Sequence, residues 1–217
     1  MSEHASSDGF EAAAEGQALL PSMDLEVARQ AEEISDTPGM GMAAAASELA
    51  DQPPLIILSL LTALGGAAAG NRRLARTGIR MLAAHGLATL AKDLIKNRVD
   101  RSRPFKAASS GRHEFRPGQS DRKEDRSFPS GHSAGGIAVA RAIGREYPAV
   151  GRPASAAALL AAAIQVPREA HYASDVLAGL AIGAVSEAVV DIAFGKLGEE
   201  PERAIARQAD KLLRNPD

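Results

Sequence analysis

Two histidines and one aspartate give the clearest chemical signal in this sequence. His132 ends the tetrapeptide Pro129-Ser130-Gly131-His132, and His171 stands four residues before Asp175. A carboxylate that holds one imidazole N–H fixes the tautomer and leaves the other nitrogen nucleophilic. A second imidazole can protonate the oxygen that leaves. We interpret the three side chains as a set that moves a phosphoryl group through a covalent phosphohistidine.

Cationic side chains flank these histidines in the sequence. Phosphoryl transfer depends mainly on positioning and on positive charge near the equatorial oxygens. Lys96, Arg103 and Arg168 are the candidates, because a cation offsets that charge and arginine has a planar fork that matches phosphate oxygens. The alternative for residues 96–106 is a solvated basic loop or a basic segment beside lipid head groups.

The spacing also predicts where the elements begin. Ser130 and Gly131 should open a helix with His132 in its first turn, where backbone N–H groups bind anions and glycine permits close approach. The alternative is a simple N-cap with an incidental histidine. His171 and Asp175 should share one helix face; the alternative is a capping Asp175 and a surface His171.

The elements that position these residues are predicted to be helices. Alanine and leucine dominate the apolar positions, which favours helix, and no strand pattern appears. We expect an all-α bundle of about five core helices, with Lys96 to Phe128 irregular. The predicted helical or apolar segments are Met23–Ile34, Gly41–Leu49, Leu55–Gly70, Ile79–Ile95, Gly131–Tyr147, Pro153–Pro167 and Ser174–Phe194, and a surface helix is expected within Glu199–Asp217.

Charge divides the chain of 217 residues into three regions. Residues 1–52 carry eleven acidic residues and one arginine, and the remainder has a net charge of +8. We therefore expect an acidic, partly flexible N-terminal region at 1–52, a helical core at 53–195 and a polar tail at 196–217. The overall charge of −2 gives no reason to expect nucleic-acid binding. The chain has no cysteine, which excludes disulfides and thiolate metal sites.

Uncharged segments suggest a membrane protein, with a soluble bundle of buried helices as the alternative. Two arginine groups, Arg72 to Arg76 and Arg145 to Arg152, would share one face in an alternating topology. Clustered arginines fit the cytoplasmic side. We expect several spans in a bacterial-type inner membrane, with the site on the face away from the cytoplasm. The first residues lack the basic start and apolar run of a cleavable signal peptide.

The motifs together resemble the type 2 phosphatidic acid phosphatase superfamily, which includes acid phosphatases and vanadium haloperoxidases. Its first motif is Lys, six residues and Arg-Pro, matched by Lys96 with Arg103-Pro104, and its second is matched by Pro129 to His132. His171 and Asp175 match the third. The resemblance spans Pro53 to Phe194 and implies a helical phosphatase of a lipid phosphate or diphosphate, without a metal or another cofactor.

Residue roles follow from the same resemblance. It implies that His171 is the nucleophile, that Asp175 orients it, and that His132 is the general acid and later activates water. Lys96, Arg103 and the turn at Ser130 and Gly131 would hold the phosphate.

The third motif departs from the family pattern at its Ser-Arg positions, which hold Ile164 and Gln165. Arg168 lies closer to His171, and we expect it to replace the missing arginine. Two other functions stay open: a vanadate-dependent haloperoxidase-like enzyme, and a catalytically silent membrane protein that binds lipid phosphate.

Overall fold

The chain folds into a bundle of helices. The computed structural model describes residues 22–31, 37–110 and 112–214, with side chains as far as residue 195 except at residue 38. Residues 22–31 are helical and are called α1. The other α-helices are α2 (Pro38–Ser47), α3 (Gln52–Ala68), α4 (Arg72–Lys96), α5 (Pro104–Ser110), α6 (Gly131–Glu146), α7 (Pro148–Ala163) and α8 (Ala173–Arg214). Single 3₁₀ turns lie at Glu48–Ala50 and Lys123–Asp125.

Five long helices, α3, α4, α6, α7 and α8, make the core, which confirms the predicted helical class and helix number. Helix α6 is central and packs against α4, α7 and α8. The small side chains of the buried faces let these helices approach closely. The main apolar cluster consists of Leu55, Met81, Ala84, Ala88, Ala134, Ala138, Val139, Ala142 and Val190.

Two glycines of α8 set its distance from α6. A Cβ at Gly179 would lie 2.4 Å from the Ser130 carbonyl oxygen, and one at Gly183 would lie 2.2 Å from that of Ala134. Any side chain at either position would therefore push the helices apart. The start of α8 and the start of α6, which carry Asp175 and His132, are held together by this contact.

The segment between α4 and α6 differs from the prediction of an irregular loop. Val99–Arg101 (β1) pairs with Phe115–Pro117 (β2) as an antiparallel two-stranded sheet, with Asp100 opposite Arg116. Helix α5 lies between the two strands in the sequence and connects them. Strands of three residues cannot show a two-residue alternation, and the pairing also depends on the Asp100 carboxylate, which accepts a hydrogen bond from the Ser120 N–H at 2.7 Å.

Helix boundaries agree with the local sequence signals at α3 and α6, whereas α4 begins at Arg72, seven residues before the predicted Ile79. Asp51 precedes α3 and the prolines lie in its first turn; α6 ends one residue before the predicted Tyr147. Helix α7 differs from the predicted segment Pro153–Pro167, because it starts at Pro148 and ends at Ala163. Helix α8 continues without a break to Arg214. The predicted end of the first helix, at residues 32–34, lies outside the described residues.

The outside of the bundle is rich in apolar side chains. Helix α3 exposes Leu61 and Leu64, and α8 exposes Leu177 and Val185. Among the described residues, one helical stretch, Ala173–Gly195, is long and apolar enough to cross a membrane. A second crossing is possible if Gly39–Ala50 and Gln52–Ala68, bent by 51°, count as one span. The multi-pass topology expected from the sequence stays a prediction.

Candidate active site

The Asp175 carboxylate joins the three parts of the chain that the motifs mark. Asp175 is fully buried in the first turn of α8. Its Oδ2 accepts hydrogen bonds from the Ser127 hydroxyl at 2.5 Å and from the Tyr172 N–H at 2.9 Å, and its Oδ1 accepts one from Arg101 Nη1 at 2.6 Å. Its backbone carbonyl accepts the Ser130 N–H at 3.0 Å. The end of β1, the segment before α6 and the start of α8 are therefore fixed relative to one another.

His171 lies beside this carboxylate, but not on a shared helix face as predicted. Helix α8 begins at Ala173, so His171 belongs to the preceding turn. Its Nδ1 lies 3.7 Å from Asp175 Oδ2, because the carboxylate folds back over that turn to accept the Tyr172 N–H. The distance exceeds a hydrogen bond and leaves Nδ1 without a partner among the described residues; such contacts often tighten when substrate binds.

The surroundings of His171 keep its ring neutral. Its side chain is 3% exposed. Burial lowers the pKa of His171 to about 4, and the charges of Arg103 and Lys96 act in the same direction, against the opposing effect of Asp175. Because Nδ1 faces the carboxylate, Nε2 is the nitrogen left with a free lone pair near neutral pH.

Lys96 and Arg103 bring positive charge to the same place. Arg103 Nη1 donates to the carbonyl of Ala170, next to His171, at 3.2 Å, and its Nε donates to the carbonyl of Lys123 at 3.0 Å. Lys96 Nζ donates to the carbonyl of Arg126 at 3.1 Å. Burial, with the neighbouring cations Lys92, Arg103 and Arg126, lowers the pKa of Lys96 to about 7. Both predicted phosphate ligands therefore lie near the predicted nucleophile.

The start of α6 is built as predicted, although not every expected donor is free. Ser130 is the N-cap, and its hydroxyl accepts from the Ser133 N–H at 3.4 Å and from the Ser133 hydroxyl at 2.9 Å. Its own N–H donates to Asp175. The amides of Gly131 and His132 are in the first turn, where no carbonyl of the same helix can accept them. These two amides are the donors that this turn offers to an anion.

His132 faces two carboxylates from the segment before α3. Its Nε2 lies 3.9 Å from Glu48 Oε2 and 3.8 Å from Asp51 Oδ1. Burial lowers the pKa of His132, and Asp51 and Glu48 oppose this effect. The three groups also offer ligand atoms within 4.8 Å of one another, a spacing that a divalent cation accepts. Electrostatically, both carboxylates favour the protonated imidazole that a general acid requires.

Arg168 opens onto the same cavity as Arg103. This cavity, of about 600 Å³, is also lined by Arg122 and Lys123. In the structure the Arg168 guanidinium donates to Glu48 Oε1 at 2.5 Å and to the Ser47 hydroxyl at 2.7 Å. A phosphate would have to compete with Glu48 for it, and the role of Arg168 as a ligand stays a prediction.

Gln165 occupies the position of the missing arginine. Its side chain is buried and hydrogen-bonds within the protein. Its Nε2 donates to the carbonyl of Ala161 at 3.1 Å and to the Ser47 hydroxyl at 3.3 Å. Its backbone carbonyl accepts the N–H groups of Ala170 and His171. Gln165 thus supports the turn that carries His171.

Sequence reasoning missed five residues of this site: Asp24, Glu48, Asp51, Arg101 and Ser127. Arg101 lies between Lys96 and Arg103 in the sequence, and Ser127 lies two residues before Pro129. These positions beside the motifs were the available signals. Asp24 lies in the acidic N-terminal region, 150 residues from Ser174, whose N–H donates to Asp24 Oδ1 at 3.0 Å. No local pattern could have indicated that contact.

Known proteins resemble this chain in sequence and in fold. A model of the PAP2 superfamily matches residues 77–197. A curated relative, lipid A 1-phosphatase of Rhizobium johnstonii (strain DSM 114642 / LMG 32736 / 3841), is 35% identical over 109 residues, which is 50% of this chain and 44% of the relative. The chain thus matches less than half the length of that protein.

A solved structure shares the fold. It is described as the first transmembrane PAP2 type phosphatidylglycerolphosphate phosphatase from Bacillus subtilis. The two structures superpose with a TM-score of 0.61 at 22% identity, over 82% of this chain and 87% of the other. The family model covers more than half of this chain and includes the segments that carry both histidines, and the resemblance found in the motifs is thereby confirmed: the chain belongs to the PAP2 superfamily.

Proposed function

We propose that the protein is a membrane phosphatase that hydrolyses a lipid phosphate or diphosphate monoester through a phosphohistidine. One observation carries the proposal: the buried, neutral His171 has Nδ1 towards Asp175 and lies beside Lys96 and Arg103. A neutral imidazole oriented in this way is a nucleophile, and the two cations are placed to neutralise a phosphoryl group.

In the first step, His171 Nε2 forms a bond to phosphorus while the bond from phosphorus to the lipid oxygen breaks. Protonated His132 gives its proton to that oxygen, so the lipid leaves as an alcohol, or as a monophosphate if the substrate is a diphosphate. The Asp175 carboxylate stabilises the positive charge that develops on His171. Lys96, Arg103, Arg168 and the amides at the start of α6 hold the phosphoryl oxygens.

In the second step, neutral His132 takes a proton from water. The water oxygen bonds to phosphorus, the P–N bond breaks, and inorganic phosphate leaves with His171 restored. The same residue acts as acid and then as base, so His132 ends each turnover protonated.

A lipid substrate fits the shape of the bundle. The site lies at one end, where α6 and α8 begin and α4 ends. At the opposite end, Arg80 pairs with Asp191 at 2.6 Å and Arg145 pairs with the buried Glu187 at 2.7 Å. Exposed leucines and valines cover the helices between the two ends. We propose that this apolar surface contacts lipid, with the arginine end cytoplasmic and the site at the other face.

The proposed function is tested by phosphate release. The purified chain in detergent is given phosphatidic acid, phosphatidylglycerolphosphate, an isoprenyl diphosphate and lipid A, with His171→Ala as the inactive control. The expected result is release from at least one lipid by the wild type and from none by the variant. Tight binding of these lipids without release by the wild type would instead identify the silent lipid-binding protein.

A further inference from the structure

The buried salt bridge behind Asp175 has no part in the steps above. Arg101, at the end of β1, is 2% exposed. Its Nη1 donates to Asp175 Oδ1 at 2.6 Å and to the Ser174 hydroxyl at 2.7 Å, and its Nη2 donates to Asp24 Oδ2 at 2.6 Å. The guanidinium thus bridges two carboxylates that lie about 150 residues apart in the chain.

Asp24 is an equally specific part of this arrangement. It is 5% exposed on α1. Its Oδ1 accepts the Ser174 N–H at 3.0 Å and its Oδ2 also accepts the Ser174 hydroxyl. Asp24 therefore holds Arg101 and also satisfies an N–H in the first turn of α8, the turn that carries Asp175. A helix from the acidic N-terminal region is fixed to the back of the site.

Arg101 lies behind the Asp175 carboxylate and is shielded from solvent. It is 2% exposed, and its guanidinium donates to Asp175, Ser174 and Asp24. The faces of the guanidinium are covered by rings, with Cζ 4.3 Å from the centroid of Tyr172 and 4.9 Å from that of Phe115. Arg101 therefore acts on turnover through the groups that it holds, of which Asp175 is the one that faces His171.

Resting on the phosphatase function proposed above, we propose that Arg101 and Asp24 are positioning residues for the nucleophile. The contact sequence Asp24–Arg101–Asp175–His171 fixes which carboxylate oxygen faces Nδ1. It also holds a positive charge behind that carboxylate. On this account, helix α1 is needed for full activity because it carries Asp24.

The test compares turnover in two pairs of matched variants of the full chain. Asp24→Asn is paired with Glu26→Gln, an exposed residue of the same helix that contacts Gln30. Arg101→Met is paired with Arg116→Met, an exposed residue of β2. Outer partners of metal-binding histidines typically contribute 10- to 100-fold, and we apply the same scale to His171 by analogy. We expect kcat to fall about 10-fold in Asp24→Asn and about 100-fold in Arg101→Met, with KM changed less than about threefold and the two controls unchanged.

Folding is controlled separately. Arg101→Met leaves buried carboxylates without their cation and can destabilise the protein, whereas Asp24→Asn keeps the size and one acceptor oxygen. Arg101→Lys keeps the charge but cannot bridge both carboxylates, and should recover part of kcat. Wild-type kcat in Asp24→Asn, or a loss of activity that follows only the folded fraction, would overturn the positioning role.

A readout that needs no turnover separates this inference from the proposed function. In ¹⁵N-histidine NMR spectra, Arg101→Met should raise the pKa of His171 by roughly one unit, because Asp175 loses a neutralising charge. Lys96, Arg103 and Asp175 also act on His171, and Asp24, Tyr172 and His113 surround Arg101; none of them changes in the variant. An unchanged pKa would contradict the proposal even if no lipid is cleaved, while absence of phosphate release by the wild type refutes the enzyme alone.

Discussion

Replacing Asp175 by asparagine is the most informative single perturbation of the site. The carboxylate accepts hydrogen bonds on both oxygens, from Arg101 at Oδ1 and from Ser127 and the Tyr172 N–H at Oδ2. Asparagine has a single acceptor oxygen. In either orientation its NH₂ group therefore faces a donor, Arg101 in one case and the Tyr172 N–H in the other.

The size of the effect follows from burial and charge. Asp175 is fully buried, and removing one partner of a buried ion pair costs about 3–5 kcal/mol of folding stability. The variant also loses the charge that stabilises a positive His171 in the transition state. By analogy with carboxylate-to-amide changes beside a catalytic histidine, we expect kcat to fall about 1000- to 10,000-fold, or about 4–5.5 kcal/mol of barrier.

The assay is kcat and KM for phosphate release in detergent, with the folded fraction measured by circular dichroism on the same sample. Asp121→Asn is the matched control, because this carboxylate is fully exposed. Its activity should equal the wild type. A loss below about threefold in folded Asp175→Asn would show that Asp175 only caps α8, and would refute the reasoning.

Three further predictions can be tested with the same preparation. Arg168→Lys should lower kcat/KM about 30- to 1000-fold, since a point charge cannot replace a bidentate grip, and Gln165→Arg should not restore it fully; a neutral Arg168→Lys with a severe Gln165→Ala would reverse the assignment. The pH profile of kcat/KM should fall below about pH 4, where a His171 with a pKa of about 4 becomes protonated. It should fall again as the pH rises through the pKa of the general acid His132, which burial lowers, and through the Lys96 pKa of about 7; Lys96→Arg should remove only the Lys96 contribution, and a profile without any alkaline fall would contradict the role of His132. Single cysteines in the natively cysteine-free chain should be labelled from outside intact cells at residues 106–120 and protected at residues 72–76, and the reverse pattern would invert the topology.

Local signals in the sequence were sufficient for most of the helices. Two prolines in the first turn mark the start of α3, and the Ser130 cap marks the start of α6, because first-turn prolines and N-cap side chains act within one turn of helix. The strands were missed for the opposite reason. Three residues at β1 form a strand only when Phe115–Pro117 lies alongside, and that pairing is not encoded in either segment alone.

The site shows the same division between local and distant contacts. The spacing of His171 and Asp175 correctly predicted their proximity, but for the wrong reason, since the contact comes from a turn before α8. Asp24 reaches Ser174 across 150 residues, and Arg168 reaches Glu48 across 120. Partners at such distances are chosen by packing of the whole bundle, and a single sequence carries no pattern that predicts them.

Trapping the phosphoenzyme tests the central claim most directly. Wild-type protein mixed with a cleaved lipid phosphate is quenched in base, where phosphohistidine survives, then digested with trypsin and examined by mass spectrometry. The account predicts one phosphoryl group on the peptide of residues 169–196, located at His171, and none in His171→Ala. A phosphoryl group on His132, or turnover at the wild-type rate by His171→Ala, would contradict it.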